Sequence, residues 1–208
     1  MMHTCPICGN ECKEVHNGDG FHLDCKFCGS YFITRTADLT LGHPRYSAKK
    51  YILSGVTRNA NENNQKTKIN SGNIDELIET ANIPADPIEA MELLLLYLAS
   101  CSDVFGKLVP IHAGYDYPIV FSRKPEEIDF HIKNLFKRGF IDGSYGGAGE
   151  VRITLLGWEK IAELKKGSAD SNQAFVAMHF VDEMYQVFDK GFKPALEDEE
   201  IGFKAYLV

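Results

Sequence analysis

The chain has 208 residues, 44% of them hydrophobic and 25% charged, with a formal net charge of −7. That composition is of the globular class and excludes a uniformly basic nucleic-acid binder. The longest apolar run, MELLLLYLAS at 91–100, falls far below the roughly 20 residues of a membrane span, and no basic-then-apolar leader opens the chain, so a cytoplasmic protein without membrane partners is expected.

Five of the six cysteines lie within the first 28 residues. Cys5 and Cys8 form one Cys-x2-Cys pair and Cys25 and Cys28 a second, with Gly9 and Gly29 directly after them and sixteen residues between the pairs. Two such turns bring four thiolates to one tetrahedral ion, and a glycine permits the tight backbone turn beneath the sulfurs. The spacing therefore predicts one structural Zn ion on Cys5, Cys8, Cys25 and Cys28. Iron in a tetrahedral sulfur site is the minority option, and Cys12 and His22 are spare ligands within reach. Residues 1–36 look like a zinc ribbon, whose metal supplies most of the folding free energy of a segment too short to bury a core.

After the alternating strand YFITRT, the stretch SAKKYILSGVTRNANE predicts a short helix with Ser47 as N-cap. Arg35, Arg45, Lys49, Lys50 and Arg58 make this part basic, and residues 1–72 hold nine bases against six acids. That basicity suits a solvated face or a phosphate-contacting patch equally. The polar, Asn-rich NANENNQKTKINSGN reads as a linker, so 37–72 is expected to be a basic helical segment and linker.

Residues 73–167 change character. Pro87 precedes an acidic first turn and a buried helix, PIEAMELLLLYLASCSD. A loop containing DYPIVFS leads to KPEEIDFHIKNLFKRGFI, with Ile128, Ile132, Leu135 and Phe136 on one face and Gly139 as its stop. A hairpin around GSYGGAG follows, and a last helix opens on Thr154. This order looks like a winged helix-turn-helix domain. The resemblance implies nucleic-acid contact by the helix ending at Arg138 and by the hairpin as a wing, through Lys133, Lys137, Arg138 and Arg152. Against that stand Glu126, Glu127 and Asp129 near the helix start, where they repel phosphate, and a hairpin tip without a base. Cys101, His112 and His131 read as packing or surface residues.

Residues 172–208 read as a buried parallel strand, QAFVAMHF, a helix with Met184, Val187, Phe188 and Phe192 on one side and Pro194 kinking it, and a second strand, IGFKAYLV. FVAM after a strand start, then GFKPAL and GFKA, resembles the opening of nucleoside 2-deoxyribosyltransferase-like domains, relatives of TIR-type nucleotide-cleaving domains. The resemblance implies a flavodoxin-like α/β domain, here only its first β-α-β, with Met178, His179 and Phe180 at the end of the first strand lining a nucleotide pocket. The family's catalytic carboxylate lies downstream of the second strand, so no catalytic residue is assigned and the chain alone is not expected to be an enzyme; a fragment or truncated reading frame is the favoured explanation.

The whole chain thus reads as an α+β multidomain protein: zinc ribbon, winged-helix-like middle and an incomplete α/β domain. Bacterial proteins with that array suggest a scaffold or sensor directed at a nucleotide or nucleoside, in stress or phage defence. The alternative is a zinc-dependent DNA- or RNA-binding regulator. A third reading is an adaptor that self-associates or takes a partner through the uncovered sheet.

Overall fold

The computed structural model describes residues 2–169, 173–176, 182–197 and 204–207. The chain divides into two compact units, Met1–Ile161 and Ala162–Val208, and the first contains two hydrophobic cores.

The first core is built on a mixed five-stranded sheet in the order β1 (Met2–Thr4), β2 (Glu11–Asn17), β3 (Gly20–Cys25), β4 (Gly29–Thr34) and β5 (Thr67–Ile69). β1 to β4 are antiparallel neighbours, whereas β5 runs parallel to β4 with Ile33 opposite Ile69. A parallel pair requires a long crossover. Here that crossover is α1 (Arg35–Leu41), a 3₁₀ turn (Pro44–Lys49) and α2 (Lys50–Glu62). β4 alternates between buried and half-buried positions, so Tyr31 and Ile33 point into a core completed by Leu23, Leu41, Leu53 and Ile69. Thr34 ends the strand and caps α1, its Oγ1 accepting from the Ala37 amide at 3.2 Å.

Three sequence expectations change here. The Asn-rich stretch is not a linker, because β5 lies within it and joins the sheet; the full burial of Ile69 outweighs the weak strand propensity around it. Ser47 does not cap a helix: it lies inside the 3₁₀ turn, which His43 caps through Nδ1, and α2 starts at Lys50. Residues 73–83 belong to the first core rather than the second, since Ile74 and Ile78 of α3 (Ile74–Glu79) are buried in it and Ile83 packs against it.

The second core follows in the order α4 (Pro87–Ser100), β6 (Val109–His112), α5 (Ala113–Asp116), a 3₁₀ turn (Tyr117–Val120), α6 (Pro125–Lys137), β7 (Ile141–Tyr145), β8 (Ala148–Ile153) and α7 (Leu155–Ala169). β8 is central in the antiparallel sheet β6-β8-β7. Asp86 caps α4 by accepting from the Ile88 and Glu89 amides at 2.7 and 3.0 Å, with Pro87 in the first turn, where its missing N–H costs nothing. Gly139 terminates α6 at φ +71°, and Thr154 opens α7 by accepting from the Gly157 amide. The stretch DYPIVFS is mostly helical, being divided between α5 and the 3₁₀ turn. Leu94, Leu98, Ile128, Ile132 and Val151 fill the centre.

In the second unit, β9 (Gln173–Val176) pairs parallel with β10 (Lys204–Leu207), and α8 (Asp182–Val187) and α9 (Lys193–Leu196) lie between them in the chain. A π-helical turn over Phe188–Phe192 joins the helices immediately before Pro194. Proline cannot donate the amide that a continuous α-helix needs, so the ladder is re-registered there. Of the expected apolar side, Phe188 is buried whereas Val187 and Phe192 are exposed.

Candidate metal centre

Cys5 and Cys8 sit in the turn between β1 and β2, Cys25 ends β3, and Cys28 immediately precedes β4. Gly9 and Gly29 both have positive φ, +78° and +75°, the left-handed conformation that lets the amides fold under the sulfurs. The Gly9 amide donates to the Cys5 carbonyl and the Cys5 amide to the Asn10 carbonyl, each at 2.8 Å. The antiparallel pairing of β2 with β3 then brings the two turns together.

All four Sγ atoms lie within 4.8 Å of one another. Cys5 and Cys28 are 3.8 Å apart and Cys8 and Cys25 3.5 Å, whereas a tetrahedral tetrathiolate site with metal–sulfur bonds of about 2.3 Å has edges of about 3.8 Å. These residues can therefore hold one metal ion. Cys5, Cys25 and Cys28 are buried and Cys8 is half-buried, so no side of the group is left wide open.

Electrostatics point the same way. Hydrogen bonding with Cys25 holds the Cys8 thiol far below its ordinary pKa, and hydrogen bonding with Cys28 lowers that of Cys25. The same sharing raises Cys5 and Cys28, foremost through Cys25. Four thiols this close cannot all ionise on their own, and a divalent cation removes the conflict. Cys12 is buried outside the group, its pKa pushed up to about 12 chiefly by burial, and serves the core. His22 places its ring edge-on to Phe32, 5.0 Å between centroids, and is not among the clustered ligands.

The surroundings of the sulfurs come mainly from α2. Ser54 Oγ lies 3.2 Å from Cys28 Sγ. Lys50 Nζ donates to the Pro6 carbonyl of the first turn at 2.8 Å, and Arg58 Nη1 to the Lys26 carbonyl of the second at 2.8 Å. Asn61 Oδ1 accepts from the Ser30 amide at 2.7 Å. From β4, the Tyr31 hydroxyl lies 3.0 Å from Cys5 Sγ, and burial, then the nearby thiols, keep it protonated as a donor. Lys50, Ser54, Arg58 and Asn61 recur at spacings of four, four and three, one face of a helix. A polar stripe of this kind suits solvent as well, so the sequence by itself marks the segment only as basic.

Of the candidate nucleic-acid residues, Lys133, Lys137 and Arg138 lie along α6 and at its end and Arg152 lies on β8, and two of the four are paired with carboxylates. Lys133 Nζ pairs with Asp129 at 2.6 Å and Arg152 Nε with Asp142 at 2.6 Å, while Lys137 and Arg138 are exposed at the end of α6. Met178, His179 and Phe180 lie outside the described residues. His112 accepts from the Gly114 amide and stacks on Tyr115. No helix among the described residues is long and apolar enough to cross a membrane. Comparison with protein-family models, curated proteins and solved structures gives no match.

Proposed function

We propose that this chain is a zinc-organised scaffold or sensor that serves a nucleotide-directed α/β domain. The observation that carries the reading is the closed group of four thiols gripped by one face of α2. Four cysteine ligands with no open position are the donor set of structural zinc, and the metal supplies folding free energy rather than chemistry. β1 to β4 with their two glycine-backed turns form the zinc ribbon, and the order α4, β6, α5, α6, β7, β8 with central β8 supports a winged-helix-like module. The parallel β9–α8–β10 unit is in keeping with the start of a nucleoside 2-deoxyribosyltransferase-like domain.

The test has two arms. Metal analysis of the purified protein is expected to find one zinc per chain, and isothermal titration of the protein as the cell makes it, with nucleosides, cyclic nucleotides and NAD, is expected to give saturable heat. Absence of zinc removes the scaffold, and silence toward every nucleotide removes the second half of the reading.

A nucleic-acid regulator is the second reading, supported by the element order and by the exposed Lys137 and Arg138. The Asp129 and Asp142 carboxylates on Lys133 and Arg152 weigh against it, because each neutralises a base that phosphate would need.

A further inference from the structure

A cavity of about 490 Å³ opens where the segment before α4 meets the start of α6. Its volume falls within the range of small-molecule pockets, roughly 300–1,000 Å³. The walls are apolar: Ala90 and Val120 from the second core, Phe121, which packs against the first, and the half-exposed Phe130. The pocket therefore lies at the seam between the two cores of the first unit.

Two polar side chains line it while lying more than nine-tenths buried. Ser122 is 3% exposed and His131 7%. Among the described residues Ser122 Oγ and His131 Nδ1 have no hydrogen-bond partner. Buried polar groups in folded proteins are almost always paired, so each of these two leaves a hydrogen bond for a water, an ion or a ligand to make. Burial lowers the pKa of His131 against the opposing pull of Glu127, so the imidazole adds no positive charge at neutral pH.

Charge selects the class of ligand. Asp86, Glu126 and Glu127 stand among the lining residues and no lysine or arginine does. The neighbouring Arg123 lays its guanidinium over the Tyr51 ring, 4.5 Å from its centre. The carboxylates also serve the helix starts, Asp86 through its cap and Glu127 by accepting from the Arg123 amide at 3.0 Å. Those two N-termini contribute about half a positive charge each, and Arg123 acts on Glu127 from beside the rim, so the lining keeps a smaller net negative charge. Glu126 has no ion-pair partner among the described residues. An anion such as a nucleotide phosphate is repelled from this mouth, and a cation is drawn to it.

We infer that the pocket binds a small organic cation, a protonated amine on a compact apolar or aromatic body. The ammonium sits among the carboxylates at the rim, the body lies against Val120, Phe121 and Phe130, and any polar edge of the body faces Ser122 and His131. A ligand held at this seam touches both cores at once, which makes the pocket an input site for a sensor. The inference stands apart from the nucleotide reading, whose site lies elsewhere in the chain.

The experiment is isothermal titration of the full chain with phenethylamine, tryptamine and agmatine. 3-Phenylpropionate serves as the same shape with the opposite charge, and AMP as the nucleotide. At least one amine is expected to saturate at one per chain and to bind at least ten times more tightly than 3-phenylpropionate. The exposed pair Glu126→Gln with Glu127→Gln is expected to weaken that amine at least tenfold while leaving the native circular dichroism spectrum and any AMP heat unchanged. Phe130→Ala, on an exposed side chain, is expected to weaken it several-fold. Failure of all three amines to saturate, equal binding of the carboxylate, or full affinity in the double variant overturns the inference. AMP heat that survives in the double variant bears on the nucleotide reading alone.

Discussion

Arg58 Nη2 donates to Asp116 Oδ1 across 2.7 Å, joining α2, which carries the face that holds the cysteine turns, to α5 of the second core. Both side chains are nearly buried, 11% and 7% exposed. Burial opposes the charge on Arg58, but Asp116 and Glu62 more than offset it and hold its pKa above the ordinary arginine value. The same guanidinium donates to the Lys26 carbonyl, and Asp116 also accepts from the His112 amide at 2.8 Å. One side chain thus ties the metal turn to the neighbouring core.

Removing one partner of such a pair leaves the other charge buried and uncompensated. Arg58→Ala is expected to cost about 3–5 kcal/mol, a drop of about ten degrees in Tm for a chain of this size. Arg58→Lys keeps the charge but not the planar fork that reaches Glu62, Asp116 and Lys26 together, and recovers only part of the loss. A scanning calorimetry trace with Arg58→Ala unchanged refutes the linking role.

Chelation separates the two cores. The metal is expected to contribute on the order of 10 kcal/mol to the first. A strong chelator at neutral pH is therefore expected to unfold β1 to β5 while the second core keeps its helical signal, followed by circular dichroism and by amide exchange. Cys28→Ser is expected to lose most of the bound zinc by metal analysis. Full retention of structure after zinc removal contradicts the assignment of the site as structural.

The two turn glycines share a conformation but not an environment. An alanine Cβ at Gly9 meets nothing within 4 Å, whereas at Gly29 it runs into the Asn61 side chain, whose Cβ is 2.6 Å away. Gly9→Ala is expected to cost about 1–2 kcal/mol from the left-handed backbone alone. Gly29→Ala is expected to cost clearly more, because Asn61 must move and give up the Ser30 amide. Chemical denaturation of the two variants checks the order.

His131 gives stability a pH dependence of definite sign. Its folded pKa is depressed, so above the ordinary histidine value of about 6.5 the ring is neutral in both states. As pH falls below that value the unfolded chain takes up a proton that the folded chain resists, and stability is lost. The difference in midpoint between wild type and His131→Gln is expected to shrink or reverse from pH 7.5 to pH 5. A constant difference rules out the buried neutral ring.

DNA binding is expected to be weak. Lys133 and Arg152 are held by their own aspartates, and Lys137 and Arg138 are left as the bases of the expected set without an ion-pair partner among the described residues. Fluorescence anisotropy with a random duplex at about 150 mM salt is expected to stay flat through the low micromolar range. Saturation there, lost when Lys137 and Arg138 are neutralised, favours the regulator.

Short-range physics made much of this protein legible from its sequence. The Cys-x2-Cys spacing and the glycine behind it are local requirements of a metal turn, so Cys5, Cys8, Cys25 and Cys28 could be named before any contact was known. Helical periodicity likewise placed α4 and α6, two glycines placed the turn between β7 and β8, and a continuous apolar run placed β9. What the tertiary structure alone decided are contacts across long separations. The pairing of β5 with β4 turns on the burial of Ile69, which its Asn-rich neighbours disguise. Lys50, Ser54, Arg58 and Asn61 suit solvent as well as they suit two cysteine turns, and nothing local distinguishes the two. The meeting of Arg58 with Asp116, and the cavity that Ser122 and His131 share, exist because two cores dock, and docking is settled by packing and buried charge, which no short stretch of sequence encodes.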